Sequence, residues 1–112
     1  MKLFIQLSAQ DDILKQFEWY AGRGLPEIAR RYRLAVRQAI ANLSANPARG
    51  SPKRVSDPRL AELRTWPVAG FDDFRVYYLF DTHSLAVVRI LHGKRDIGAL
   101  LAETEIEAPQ TD

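Results

Sequence analysis

The sequence predicts an α+β fold in a single domain, β-α-α-β-β-β with a short C-terminal helix, in which an αα-hairpin packs on an antiparallel sheet. Three observations carry this expectation. Period-2 alternation occupies the first residues, two stretches of helical periodicity meet at a pair of glycines, and three β-rich runs separated by turn residues follow. A chain of 112 residues suits one compact domain, and a second core would have too few residues to close.

The first strand is expected over residues 2–7, where Leu3, Ile5 and Leu7 alternate with Lys2, Phe4 and Gln6. Ser8, three residues before Asp11, reads as an N-cap whose hydroxyl accepts an orphan N–H. Ile13, Phe17 and Tyr20 follow at i, i+4, i+7, and Gly22 and Gly24 stop this helix. Pro26 opens the second helix at a position where its missing N–H costs nothing. There Ile28, Tyr32, Val36, Ala39, Ile40 and Leu43 share one arc, with Arg30, Arg33 and Arg37 opposite, and Asn46-Pro47 ends the helix. Residues 47–59, with three prolines and four bases, read as an exposed loop.

Three strands are then expected at 62–68, 74–80 and 85–91, forming an antiparallel meander. In the middle one, Phe74, Val76, Tyr78 and Phe80 share one face and Arg75, Tyr77 and Leu79 the other. Pro67 confines its run to an edge or a strand end. Residues 96–102 form a short helix that closes a domain of residues 1–102. Residues 103–112, which carry Glu103, Glu105, Glu107 and Asp112 and no base, read as a frayed acidic tail.

Charge is unevenly placed. Residues 23–54 hold eight basic side chains with Glu27 as the only acid, a net charge of +7. Such a block, paired with an acidic tail, suits an acidic partner surface, protein or nucleic acid, or simply a solvated helix face. No cysteine is present, which excludes disulfides and thiolate zinc sites and suits a reducing compartment. No apolar run approaches the ~20 residues that span a bilayer, so no membrane partner is expected and the domain reads as cytoplasmic.

No metal site and no cofactor are expected, because His83 and His92 stand alone without ligands at coordinating spacing. Nucleophilic catalysis lacks a cysteine or a Gly-x-Ser-x-Gly elbow. What stands out is a basic and aromatic cluster around the meander: Arg64, Trp66, Arg75, Tyr77, His92, Lys94 and Arg95. Cations gathered on one sheet region suit phosphate, an oxyanion or the carboxylates of a protein partner. Each arginine taken singly is equally consistent with a stem lying on the sheet and a head in water.

The string Arg89-Ile-Leu-His-Gly-Lys-Arg-Asp-Ile-Gly-Ala-Leu-Leu closely resembles the C-terminal signature of the ParE/RelE family of bacterial toxins. Leu63-Arg64, Phe74-Arg75-Val76-Tyr77-Tyr78, the stretch from Leu7 to Ile13, and Ala39 through Asn46-Pro47 to Gly50 match the same pattern in register over residues 3–102. The resemblance implies the RelE/ParE-like fold and the role of toxin in a type II toxin–antitoxin pair, whose small antitoxin (ParD-like or related) wraps the toxin. Operator DNA would then be reached only indirectly, through the antitoxin.

The family divides by target. A RelE-type toxin is a ribosome-dependent mRNA endonuclease, metal-independent, and on that reading Arg64, Arg75, His92 and Arg95 would carry catalysis. The tyrosine of many cleaving members falls at Leu101 here, and the basic pair that precedes the central strand is only partly present, with Arg64 there and Glu62 and Leu63 before it. The His-Gly-Lys-Arg-Asp-Ile string looks more like the ParE branch, which inhibits DNA gyrase by contact and needs no catalytic residue. The resemblance therefore implies a target-binding surface at Lys94, Arg95, Ile97, Leu100 and Leu101. The antitoxin is expected on Arg30, Arg33, Leu34, Arg37 and Trp66, cations beside apolar anchors.

Overall fold

The computed structural model describes residues 1–106, so part of the expected acidic tail, residues 107–112, lies outside the described residues. The elements run β1 (Lys2–Ile5), α1 (Leu7–Gly22), α2 (Pro26–Ala45), β2 (Ser51–Pro52), β3 (Arg64–Val68), β4 (Phe71–Phe80), β5 (Ser84–His92) and α3 (Ile97–Ala102). Single 3₁₀ turns at Pro47–Arg49 and Pro58–Leu60 interrupt the loop between α2 and β3. Among the described residues no helix is long and apolar enough to cross a membrane.

The strands lie in the order β1-β5-β4-β3-β2. β3, β4 and β5 form the expected antiparallel meander. Two features go beyond it: β1 joins the free side of β5 in parallel, so the sheet is mixed, and Ser51–Pro52 adds a short fifth strand on β3. The parallel pairing follows from the route of the chain, because the αα-hairpin, the loop and two strands intervene before the sheet edge beside β1 is built. β2 pairs only with Arg64 and Thr65, which leaves Pro67 with no ladder partner on that side and no N–H to waste.

Ser8 does not cap α1. The strand runs into the helix without a loop, Gln6 occupies the cap position in an extended conformation, and its N–H is spent on the Val87 carbonyl at 3.0 Å. Ser8 lies inside the first turn and its hydroxyl donates to the Val88 carbonyl at 3.2 Å, tying helix to sheet. The alternation of the first residues also fails at its ends. Ile5 packs on the core, but Leu3 is 44% and Leu7 68% exposed, since the chain has turned into the helix by Leu7. Gln10 donates to the Ile5 carbonyl at 2.7 Å and so covers part of the open edge of β1.

α2 matches its wheel closely. Pro26 occupies the first turn, and Tyr32, Val36, Ala39, Ile40 and Leu43 are buried, with Ala29 taking the place expected for the half-buried Ile28. Between the helices Gly24 adopts φ +73°, a left-handed conformation that favours glycine.

The αα-hairpin covers one sheet face, α1 against β5 and α2 against β3 and β4. The alternation of β4 holds: Val76 and Tyr78 enter this layer with Phe74 and Phe80, while Tyr77 and Leu79 face away. The opposite face is not bare. Leu60, Leu63, Ile97 and Leu101 close over Tyr77, Val88 and Leu91 to make a second, thinner apolar layer within the same domain. A register shift breaks the alternation of β5: Tyr77 pairs with Arg89 and Tyr78 with Val87, so Val88 is an extra residue. Leu85, Val87 and Ile90 therefore face the helices while Val88 and Leu91 face the second layer.

Candidate functional site

The six residues after His92 make a turn and begin α3. The Gly93 N–H donates to the Asp73 carbonyl at 2.6 Å, the Lys94 N–H to His92 Nδ1 at 3.2 Å, and the Asp96 carboxylate accepts from the Ala99 N–H at 3.2 Å, capping the helix. Lys94 and Arg95 are exposed and Leu100 is half-buried. Ile97 and Leu101, expected as apolar contact material, are instead buried, at 5% and 0% exposure, in the second layer. A short amphipathic helix beside an uncovered sheet face satisfies its own protein first.

The segment after α3 is held as well. Thr104 is buried, its carbonyl accepts from Arg59 at 3.2 Å, its hydroxyl accepts from Arg89 at 3.0 Å and donates to the Leu100 carbonyl at 2.7 Å. Arg89 in turn grips Asp12 of α1 through two hydrogen bonds of 2.7 and 2.8 Å, and Asp12 also accepts the Ile90 N–H at 3.0 Å. This bidentate pair holds the Arg89 guanidinium above the usual arginine range, its hydrogen bond to Asp12 outweighing burial. Residues 103–106 are thus docked rather than frayed.

The cations of the sheet do not all converge. Arg64 lies on the helix side, bonding the Ala48 and Gly50 carbonyls at 3.3 and 2.5 Å with its head 5.7 Å from the centre of the Phe80 ring. Arg75 lies on the other side, with Nε donating to Thr65 Oγ1 at 2.9 Å. Its neighbour Tyr77, which shares that face, is buried, and burial pushes its phenol up against the smaller opposing effects of Arg75 and Thr65. His92 pairs with Phe74 in the strand register and Arg64 with Tyr78. Those two β4 positions are four residues apart, roughly 13 Å at about 3.3 Å per residue. Arg64 is thus set apart from His92, whereas Arg75 lies against Gly93, beside the turn that carries Lys94 and Arg95.

Arg30, Arg33 and Arg37 are exposed, and so is Leu34, at 60%. Arg30 forms an ion pair with Glu27, and Arg33 leans over the Phe17 ring at 5.4 Å. Trp66 is half-buried on the sheet face that α2 covers, with the Arg49 guanidinium 5.8 Å from its ring centre.

One surface the sequence reading missed lies on α1. Trp19 is 47% exposed, with Arg23 stacked 3.9 Å from its ring centre and Tyr20 edge-on at 5.3 Å. The signal was present, since Trp19 falls outside the Ile13–Phe17–Tyr20 stripe and an exposed indole calls for a reason.

An αα-hairpin on one face of a mixed five-stranded sheet, with a short helix closing the other, defines a small α+β protein. Residues 3–97 match the family model described as ParE toxin of the type II toxin–antitoxin system parDE, and the chain belongs to that family. A solved structure described as the chromosomal ParDE TA system from P. aeruginosa is similar in fold, with a TM-score of 0.67 and 17% sequence identity over 82% of this chain and 95% of that one. No curated protein matches the sequence.

Proposed function

We propose that this ParE-family toxin acts in the cytoplasm by binding DNA gyrase and inhibiting it through protein–protein contact. It would be neutralised by a cognate, ParD-like antitoxin and meet operator DNA only through that antitoxin. The observation that supports inhibition by contact over mRNA cleavage is the separation of Arg64, on the helix side of the sheet beside Tyr78, from Arg75 on the opposite face and His92 at the other end of β4. Cleavage requires groups aimed together at one reacting phosphate. Here Arg64 bonds the Ala48 and Gly50 carbonyls through one nitrogen and Arg75 bonds the Thr65 hydroxyl through Nε, and Leu101, at the tyrosine position of cleaving members, is buried.

Target contact falls to what the turn after β5 exposes, Lys94 and Arg95 with half-buried Leu100. Antitoxin contact falls to Arg30, Arg33, Leu34 and Arg37 on α2, with half-buried Trp66 on the sheet face that α2 covers. Charge there accelerates association with an acidic segment, and the apolar side chains slow its departure. The test is gyrase supercoiling with purified toxin, run beside a ribosome-dependent mRNA cleavage assay. Inhibited supercoiling with intact message is expected; cut message with normal supercoiling would replace this reading with the endonuclease.

A further inference from the structure

Between the outer flank of α1 and the ends of β4 and β5 runs an open groove of about 660 Å³. Trp19 and Gln16 line it from α1, and Phe74, His92 and Arg95 from the sheet and the turn that follows. None of these residues belongs to the α2 surface.

Its chemistry is specific. Arg23 covers one face of the Trp19 indole, at 3.9 Å, and steadies the ring without burying it. Across the groove Phe74 meets the His92 imidazole edge to face at 5.3 Å. His92 is itself oriented: Nδ1 accepts the Lys94 N–H at 3.2 Å, and Nε2 lies 3.7 Å from the Asp73 carboxylate. The remaining charges of the groove divide sharply. Asp12 is taken by Arg89, and Lys15 by Asp11 at 2.8 Å. Arg95, its chain neighbour Lys94, and Arg23 over the Trp19 ring have no ion-pair partner among the described residues. Two preset aromatic surfaces with free cations at the rim are what an anchor residue flanked by a carboxylate requires. Tryptophan and arginine are also the side chains in which interface energy most often concentrates.

We infer that this groove is the toxin's target-contact site, taking from the target protein a segment that inserts one aromatic or large aliphatic side chain between Trp19 and His92 and sets a carboxylate against Arg95. The inference rests on the toxin reading and deepens it. It moves the apolar part of target contact from α3, whose Ile97 and Leu101 are buried, to the facing wall of α1. Arg95 is common to both readings, which is why the 92–95 turn and α1 belong to one surface.

Growth arrest on induction in a bacterial host tests the groove independently of which enzyme is hit, and inhibition of purified gyrase tests the target. The variants are Trp19→Ala, Arg95→Glu and Gln16→Trp, the last filling the groove; Arg54→Glu, on the exposed loop before β3, is the control. Each groove variant is expected to need about 30-fold more protein for the same effect, the loss typical of truncating an interface anchor, while Arg54→Glu retains full potency. Arg95 lies on an exposed turn, so its variant remains informative if a melting curve shows Trp19→Ala to be unfolded. Growth arrest that survives all three groove variants overturns the assignment. So does growth arrest that survives while co-expressed antitoxin no longer suppresses it, because the groove then belongs to the antitoxin. Loss of growth arrest in the groove variants, with gyrase untouched by the wild-type protein, upholds the groove and overturns gyrase as the target.

Discussion

Tyr78→Phe removes one oxygen atom from a ring that is fully buried, and the structure sets what that oxygen does. It accepts the buried Gly50 N–H at 3.0 Å and donates to the Pro47 carbonyl at 2.6 Å, so it closes the turn at the end of α2 onto the sheet. Without it, a buried donor loses its partner, at about 1–3 kcal/mol, and the bond to Pro47 is lost, at about 1 kcal/mol net. The expected destabilisation is about 2–4 kcal/mol. With an unfolding entropy near 2.1 cal/mol/K per residue, this lowers Tm by roughly 8–16 °C. Tyr32 supplies the control. Its ring is equally buried, but its hydroxyl has no hydrogen-bond partner among the described residues, and burial drives its phenol well above the usual tyrosine range. Tyr32→Phe therefore sheds an unpaired polar atom and is expected to leave Tm unchanged or raise it. Differential scanning calorimetry of both variants measures the contrast, and amide exchange at Gly50 locates it. Equal Tm shifts for the two, or a Tyr78→Phe shift below about 3 °C, would refute the account. The same site makes Gly50→Ala costly, because a Cβ there collides with the Tyr78 hydroxyl and sits 2.8 Å from the Thr65 carbonyl oxygen.

Leu101→Ala opens a cavity in the second apolar layer and should cost about 2–5 kcal/mol, whereas Arg95→Ala on the exposed turn should stay within about 0.5 kcal/mol; urea denaturation compares them. For the same reason truncation after Gly93 uncovers that layer, so loss of toxicity in a truncated chain should come with a lowered Tm. Asp12→Asn leaves Arg89 enclosed without its counter-charge and should cost about 2–4 kcal/mol by urea denaturation, more than Glu27→Gln at the exposed Arg30 pair. Asp81 accepts the His83 and Ser84 N–H groups at 2.7 and 2.8 Å, bonds that hold its carboxyl below the usual carboxylate range. A depressed folded-state pKa means its contribution is complete above the unfolded value and lost as pH falls through the folded one. Acidification below about pH 4 should thus lower the amide protection of His83 and Ser84, taken relative to unfolded-chain exchange at the same pH, and Asp81→Asn should abolish that dependence.

Much of the architecture was written in local pattern. The α2 wheel, the Pro26 start, the left-handed Gly24 and the alternation of Phe74 to Phe80 are consequences of neighbours along the chain, so periodicity alone places them. The family match was legible for a related reason, since its motifs are short strings in a set order. Register and partner choice were not. Whether Ile97 and Leu101 face a foreign surface or the protein's own sheet depends on whether Tyr77, Val88 and Leu91 already lie uncovered beside them. The parallel pairing of β1 depends on which strand edge stays open after the meander forms. The shift between Tyr77 and Tyr78, which helps bring Arg89 to Asp12, is a property of two strands together. Charge placement on a helix follows from its own sequence; the convergence or separation of Arg64, Arg75, His92 and Arg95 follows from sheet faces and strand lengths. Period and capping act over one or two turns of chain, while burial and ion pairing are decided between residues that only folding makes neighbours, and the surfaces that function requires are of the second kind.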